Sequence, residues 1–141
     1  MLIDQENITK LVPQRPPILM IDSLILQDKD STVTHFEVRE DNMLVRDGEL
    51  MPEGMIENIA QTAASRAGYE YHIRSVTPPL GFIGAISKVN IHQLPKVGEV
   101  LKTTVTVKSE IFGITLIKGE IHLNDTLAAE CEMKIVIAND A

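Results

Sequence analysis

One carboxylate in this sequence stands where a charge is costly. Glu57 follows Pro52 and Gly54 at the start of a predicted helix, and its neighbours there include the apolar residues Met55 and Ile59. A charged group among apolar side chains loses its hydration unless a partner group compensates. Glu57 therefore serves either in a structural ion pair or in acid–base chemistry, and the choice between the two decides whether the protein is an enzyme.

The four histidines are the other candidates for acid–base or metal chemistry. His35 falls on a predicted strand, and His72 lies about four helical turns beyond the carboxylate, too far to share a proton with it. His92 and His122 fall on later strands, without a second ligand at the spacing of a zinc site. We expect core or surface roles for these residues, and neither a metal nor a cofactor.

Composition and charge exclude several classes of protein. At 141 residues and 44% apolar content, the chain suits one domain over residues 1–141 that needs no disulfide or metal to fold. Its net charge is -7 and its basic residues are scattered, so it lacks the positive patch of a nucleic-acid-binding protein. The single cysteine, Cys131, has no disulfide partner and is predicted to be a small buried strand residue.

The N-terminus and the apolar runs bear on location. No run approaches the ~20 apolar residues of a membrane-spanning helix. The first residues include Asp4 and Glu6 and lack the basic and then apolar layout of a signal peptide. We therefore expect no membrane span and a cytoplasmic protein.

Helical spacing is strongest over residues 52–74. Residues three and four apart form the apolar stripe Ile56, Ile59, Ala60, Ala63, Ala67 and Tyr71. The stripe is rich in alanine, which favours a helix held close against a curved sheet. A well-packed core helix of any other kind explains the alanines equally well.

Strand patterns surround this helix. A short helix that Pro13 ends is followed by a predicted hairpin, with strands over residues 18–26 and 32–38. Residues 39–51 are predicted to be a loop. Four long strands follow the helix, over residues 80–94, 100–112, 114–123 and 127–137. Long sequential strands with one substantial helix predict an α+β domain, in which one bent antiparallel sheet wraps around the helix.

Several segments together resemble a known family. They are Pro13-Gln14-Arg15-Pro16-Pro17 with the apolar run to Asp22, Glu57-Asn58-Ile59-Ala60-Gln61, and residues 81–89, 94–101 and 129–133. In this order they are similar to the hotdog-fold 3-hydroxyacyl-(acyl-carrier-protein) dehydratases of fatty-acid synthesis. The resemblance covers nearly the whole chain and implies a hotdog fold, a curved antiparallel sheet wrapped around one long central helix.

The resemblance also implies a mechanism. In such enzymes, a loop histidine before the helix removes the α-proton of a 3-hydroxyacyl thioester, and the helix carboxylate, supplied across a dimer interface, protonates the departing hydroxyl. Carried over to this chain, the catalytic carboxylate is Glu57, and the backbone N–H of Gly54 or Met55 binds the thioester carbonyl. Gln61, one turn beyond Glu57 on the same helix face, is placed to orient the carboxylate.

The sequence departs from this pattern at the histidines. Residues 43–50 hold none where the family has its loop histidine, and Gln14 replaces the histidine of the opening segment. Arg46 cannot act as a base, because it is always protonated, which leaves Asp47 and Glu49 in that loop. Residues 47–57 are similar to a divergent branch, the predicted dehydratases of aryl-polyene-type pathways, which implies non-standard or reduced catalysis and a complete dehydratase as partner.

Three functions stay open. The chain is a dehydratase that uses Glu57, a non-catalytic subunit that binds an acyl-carrier protein or an active dehydratase, or an acyl thioesterase in which Glu57 activates water. In each case an apolar slot along the helix takes an acyl-carrier-protein or coenzyme A thioester. The exposed edge of the strand over residues 80–94 predicts at least a dimer, either a homodimer or a heterodimer with a second hotdog dehydratase.

Overall fold

The computed structural model describes residues 1–77, 79 and 81–137. The helix α1 runs from Pro52 to Ile73, so the predicted helix over residues 52–74 is confirmed. A short 3-10 helix, Ile8–Lys10, comes before it. The strands are β1 (Ser23–Gln27), β2 (Ser31–Glu37), β3 (Val45–Arg46), β4 (Glu49–Leu50), β5 (Gly81–Ile91), β6 (Val100–Ile111), β7 (Ile114–Leu123) and β8 (Thr126–Ile137).

Six strands form one antiparallel sheet, in the order β1-β2-β6-β7-β8-β5. α1 packs against β2, β5, β6, β7 and β8, so the sheet wraps around the helix as the sequence predicts. The four long strands after the helix are confirmed, although β5 ends at Ile91 and Leu80 lies outside the described residues. β5 is an edge strand of the sheet, again as predicted.

The first part of the predicted hairpin is different. Residues 18–22 are not a strand, and β1 begins only at Ser23. Side chains of α1 take the place of a neighbouring strand: Gln61 Oε1 accepts from the backbone N of Met20, and Gln61 Nε2 donates to the carbonyl of Ile18. Asn58 Nδ2 donates to the carbonyl of Met20 at 2.7 Å. Ile18 and Met20 are therefore attached to the helix, and the segment reaches the sheet only at Asp22, whose backbone N–H donates to the carbonyl of His35 in β2.

The predicted loop over residues 39–51 also contains regular structure. β3 and β4 pair as a small hairpin, with Asp47 and Gly48 at its turn. Both turn residues have positive φ, 51° and 78° respectively, and Asp-Gly is a preferred pair for such a two-residue turn. The two strands have only two residues each, too few for an alternating pattern to be visible in the sequence.

The side of α1 that faces β2 and β6 is buried and polar. Asn58 Oδ1 accepts a hydrogen bond from Thr103 of β6 at 2.6 Å, and the hydroxyls of Thr62 and Thr34 are 2.7 Å apart. Buried polar groups of this kind are tolerated when they are hydrogen-bonded. The contact between helix and sheet therefore combines apolar packing with matched polar pairs.

Two glycines allow close approach at different points along α1. A Cβ at Gly119 of β7 would overlap the side chain of Ile59, and a Cβ at Gly68 would overlap the carbonyl oxygen of Leu11. The contact between Gly119 and Ile59 lets α1 pack closely against β7. The second holds the segment after the 3-10 helix against the far part of α1.

Candidate active site

A cavity of about 660 Å³ lies along α1. Residues 10–14 form one wall, and the neighbouring strands β5 and β8 contribute Phe82, Ile83, Ile135 and Ile137. The helix contributes Glu57, Ala60, Ala63, Ala64, Ala67 and Gly68. The lining is mostly apolar with a few polar groups, the usual composition of a small-molecule site.

The small residues of α1 have two roles. Ala60, Ala64 and Ala67 line the cavity, where their small side chains leave the space open. The close approach of backbones expected from small residues occurs at Gly68, next to Leu11. Small side chains on this helix therefore form a binding space as well as a packing surface.

Glu57 is the first residue of α1 in the cavity lining, and it is partly exposed. Gln61 Nε2 donates to Glu57 Oε1 at 3.0 Å, the contact that the spacing predicts. The same amide is fixed by its two hydrogen bonds to the backbone of Ile18 and Met20. One carboxylate oxygen is thus held in place, and no side chain in the described residues donates a hydrogen bond to Oε2.

The predicted carbonyl-binding groups lie elsewhere in this chain. Gly54 and Met55 are buried, and the N–H of each donates to the carbonyl of Met51. Neither residue is among the described residues that line the cavity. The structure thus brings Glu57 and Gln61 together, whereas Gly54 and Met55 lie away from the cavity. The role of Gly54 and Met55 in binding a thioester carbonyl stays a prediction.

The two loop carboxylates are also away from the cavity. Asp47 is exposed at the turn of the small hairpin, and Glu49 is paired by backbone with Lys96. The backbone N–H of Leu50 donates to Pro95, which fixes this hairpin to the segment before β6. Within the described residues, the ionisable groups that line the cavity are Lys10 and Glu57.

The remaining candidates for chemistry are placed as predicted, away from the cavity. His35 alternates with Thr34, which faces the helix, so it lies on the outer face of β2. Burial, and then the charge of Lys102, lower the pKa of His35. Burial raises the pKa of the Cys131 thiol to about 11, so the thiol is protonated at neutral pH and a poor nucleophile.

Grouped metal ligands or a long apolar helix would mark a metal site or a membrane span. In residues 1–77, 79 and 81–137, no three His, Cys, Asp or Glu side chains are grouped as metal ligands. The helices of the same residues are too short or too polar to cross a bilayer. The cytoplasmic location stays a prediction.

Two residues near the site were not among the functional residues predicted from the sequence. Asn58 joins the helix to both Met20 and Thr103. Gln14 lines the cavity with its side-chain oxygen buried. For Asn58 there was a signal, because Asn58, Thr62 and Ser65 recur four and three residues apart. For Gln14 the signal was only its departure from the histidine of the resembled family.

A sheet wrapped around one long helix, with a carboxylate in the cavity beside that helix, defines a hotdog-fold protein. Over residues 6–141 the chain matches the family model described as ApeP-like, ApeP dehydratase. The chain belongs to this ApeP-like dehydratase family. The hotdog fold and the dehydratase resemblance predicted from the sequence are confirmed.

Individual relatives agree with this assignment. The chain is 24% identical, over 98% of its length and all of the relative's, to the 3-hydroxyacyl-(acyl-carrier-protein) dehydratase FabZ of Caldanaerobacter subterraneus subsp. tengcongensis. Its structure is similar to the dehydratase heterocomplex ApeI:P from Xenorhabdus doucetiae, with a TM-score of 0.84 and 19% identity over 94% of this chain and 91% of the other.

A hypothetical thioesterase has the same fold. The protein from Streptococcus pneumoniae TIGR4, solved with coenzyme A, matches with a TM-score of 0.67 and 11% identity. The match covers 83% of this chain and 85% of the other. At this identity the likeness shows the fold alone.

Proposed function

We propose that this protein binds 3-hydroxyacyl thioesters in the cavity along α1, with Glu57 as the general acid for loss of the 3-hydroxyl group. One observation carries the proposal: Glu57, held by Gln61, is the carboxylate that the described residues present to a largely apolar cavity. The apolar lining suits an acyl chain, and a carboxylic acid beside that chain suits a leaving hydroxyl.

Dehydration gives the two carboxyl oxygens of Glu57 different roles, because only one of them carries the proton that is transferred. In a dehydration the C–H bond next to the thioester carbonyl breaks, its electron pair forms the carbon–carbon double bond, and the C–O bond of the 3-hydroxyl breaks. A proton from Glu57 turns the departing group into water and leaves a carboxylate. Because Gln61 donates to Oε1, the proton to be transferred belongs on Oε2.

The base that removes the α-proton comes, in this proposal, from a second subunit. Lys10 and Glu57 are the ionisable groups that the described residues place around the cavity, and Glu57 is already used as the acid. The resembled family builds its site from two chains. The partner is therefore a second hotdog dehydratase, as in the ApeI:P heterocomplex to which this structure is similar.

β5 is the proposed contact with the partner. Every residue from Gly81 to Asn90 is exposed, on both faces of the strand. Phe82 and Ile83, the β5 side chains that line the cavity, are 53% and 44% exposed. A subunit that continues the sheet at this edge would cover them and close the cavity. Both a homodimer and a heterodimer satisfy this geometry.

The test is a product assay with purified protein, alone and with a candidate partner dehydratase. We expect 3-hydroxyacyl thioesters to yield α,β-unsaturated thioesters. Glu57→Gln keeps the size of the side chain and removes the acid, so turnover is expected to fall about 100-fold or more. The matched control is Glu53→Gln, an exposed carboxylate on the first turn of the same helix that does not line the cavity.

The outcomes separate the alternatives. Unchanged turnover in Glu57→Gln would remove Glu57 from the mechanism. If the protein stimulates a partner and Glu57→Gln stimulates it equally, the chain is a non-catalytic subunit. Release of free thiol without an unsaturated product would instead identify a thioesterase, the second candidate, which the shared fold with the coenzyme A-bound thioesterase supports. Parallel assays with acyl-carrier-protein and coenzyme A thioesters distinguish the two carriers.

A further inference from the structure

A series of hydrogen bonds connects the sheet to Glu57. The hydroxyl of Thr103 in β6 donates to Asn58 Oδ1 at 2.6 Å, and Asn58 Nδ2 donates to the carbonyl of Met20 at 2.7 Å. The backbone N–H of Met20 donates to Gln61 Oε1 at 2.6 Å. Gln61 Nε2 then donates to Glu57 Oε1 at 3.0 Å. The position of the carboxylate therefore depends on each residue of the series in turn.

The two amide side chains of this series are each fixed in one orientation. An amide nitrogen only donates and an amide oxygen only accepts. If the amide of Asn58 were turned over, its oxygen would face the carbonyl oxygen of Met20. Turning the amide of Gln61 would place its nitrogen against the N–H of Met20 and its oxygen against the carbonyl of Ile18. The backbone thus requires Gln61 to present a donor to Glu57.

Burial makes the series sensitive to the loss of any member. The four residues that lead to Glu57 are at most 1% exposed, so water does not replace a lost partner. We propose that Thr103 and Asn58 are positioning residues for Glu57, acting through Met20 and Gln61. In this way the sheet sets the direction of the carboxyl group towards the 3-hydroxyl of the substrate. The assignment rests on the proposed function.

The sheet offers a matched pair of threonines for the test. Thr34 of β2 and Thr103 of β6 are cross-strand partners, and both are fully buried. Each hydroxyl is bonded to one side chain of α1, Thr34 to Thr62 and Thr103 to Asn58. The hydroxyl of Thr62 donates to the backbone carbonyl of Asn58 and not to a side chain of the series. Valine at either position removes one buried hydrogen bond to α1, but only Thr103→Val interrupts the series.

The experiment measures formation of the α,β-unsaturated thioester at steady state, with the partner dehydratase present throughout. For Thr103→Val we expect kcat to fall about three- to tenfold while KM stays within about twofold, because the carboxyl group is misdirected and the apolar cavity is intact. Thr103→Ser keeps the hydroxyl and should restore most of the rate. The matched control, Thr34→Val, should keep the wild-type kcat.

A second measurement follows Gln61 directly and needs no turnover. Hydrogen exchange of its side-chain amide, detected by NMR in isotope-labelled protein, reports whether the amide is still held in place. We expect this exchange to be about tenfold faster in Thr103→Val than in wild type, because the loss of one donor loosens the groups that follow it. The exchange should be unchanged in Thr34→Val.

Two results would overturn the assignment. One is a kcat for Thr103→Val equal to that of Thr34→Val, which would mean that the series only stabilises the fold. The other is an unchanged exchange rate of the Gln61 amide in Thr103→Val. If wild-type protein with its partner forms no unsaturated thioester, the proposed function itself fails, and the exchange measurement keeps that outcome separate from a failure of the positioning.

Discussion

The two sides of α1 differ in polarity, although the residues on each side recur three and four positions apart. The side towards β2 and β6 is buried and carries the polar residues Asn58 and Thr62, each hydrogen-bonded to the sheet. The side towards the cavity carries the apolar residues Ala60, Ala64 and Ala67, with open space in front of them. The side that holds the fold is partly polar, and the side that offers a binding space is apolar.

The two sides of α1 tolerate different substitutions. A buried polar pair restricts the position of the helix, because moving it leaves donors and acceptors without partners. The alanines that line the cavity restrict the position of the helix little, because the space in front of their side chains is open. Substitutions on the first side should therefore change stability, and substitutions on the second should change which ligand fits.

The largest expected effect is that of Asn58→Ala. The change leaves the Met20 carbonyl and the Thr103 hydroxyl buried without their partner, so unfolding should be easier by about 3 kcal/mol. Urea unfolding at constant protein concentration measures the difference. Gln5→Ala, at an exposed position before the 3-10 helix, is the control and should change stability by less than about 0.5 kcal/mol. A loss in Asn58→Ala as small as the control's would show that the polar side is not a determinant of stability.

Gly68→Ala should have the next largest effect, about 2 kcal/mol. The added methyl group meets a backbone carbonyl, that of Leu11, and the helix or the segment must shift. The better helix propensity of alanine offsets about 1 kcal/mol of the cost. Gly81→Ala is the matched control, because the nearest atom to its Cβ would be 3.7 Å away. Equal thermal midpoints for the two variants would contradict this account of the close approach.

The threonine pair should show a smaller, asymmetric effect. Thr62 Oγ1 donates to the carbonyl of Asn58 and so accepts from Thr34. Thr62→Val leaves the hydroxyl of Thr34 without a partner and should cost about 1 to 2 kcal/mol. Thr34→Val should cost less, and the double variant less than Thr62→Val alone, because it leaves neither hydroxyl behind. Additive losses in the double-mutant cycle would mean that the two hydroxyls do not interact.

On the cavity side, Ala67→Leu should change stability by no more than about 0.5 kcal/mol, because Ala67 faces open space. The bulkier side chain shortens the space, so affinity for long acyl analogues should fall relative to short ones. Thermal unfolding and calorimetry on the same sample give both quantities. A destabilisation as large as that of Thr62→Val would show that this side is packed like the other.

Local patterns predicted the elements well, and distant contacts explain where they did not. The helix follows from spacing within residues 52–74, and the strands from alternation. Residues 18–22 were wrongly predicted as strand, because the backbone groups of Ile18 and Met20 bind Asn58 and Gln61, some 40 residues away, instead of a neighbouring strand. A pattern of apolar residues shows that a segment is extended and buried, but it cannot show whether a strand or a pair of amide side chains binds its backbone.

The candidate site was predicted in part for the same reason. Glu57 was recognisable from its apolar neighbours, and its contact with Gln61 from helical spacing. Gln14 was visible only as a departure from a family pattern. Its place in the cavity depends on the approach of Leu11 to Gly68, which no local pattern in either segment indicates.

The irregular path of β5 has a consequence for this protein in the cell. Its pairing with β8 is broken between Ile83 and Ala85 and again between Ser87 and Asn90, and Lys88 has a φ of 52°. A regular edge strand with unpaired backbone groups is a template for aggregation, whereas an edge strand with bulges and a lysine resists non-specific pairing with other strands. In the proposed assembly, this edge would protect a newly synthesised chain from aggregation until it meets a subunit whose edge fits the irregular path of β5.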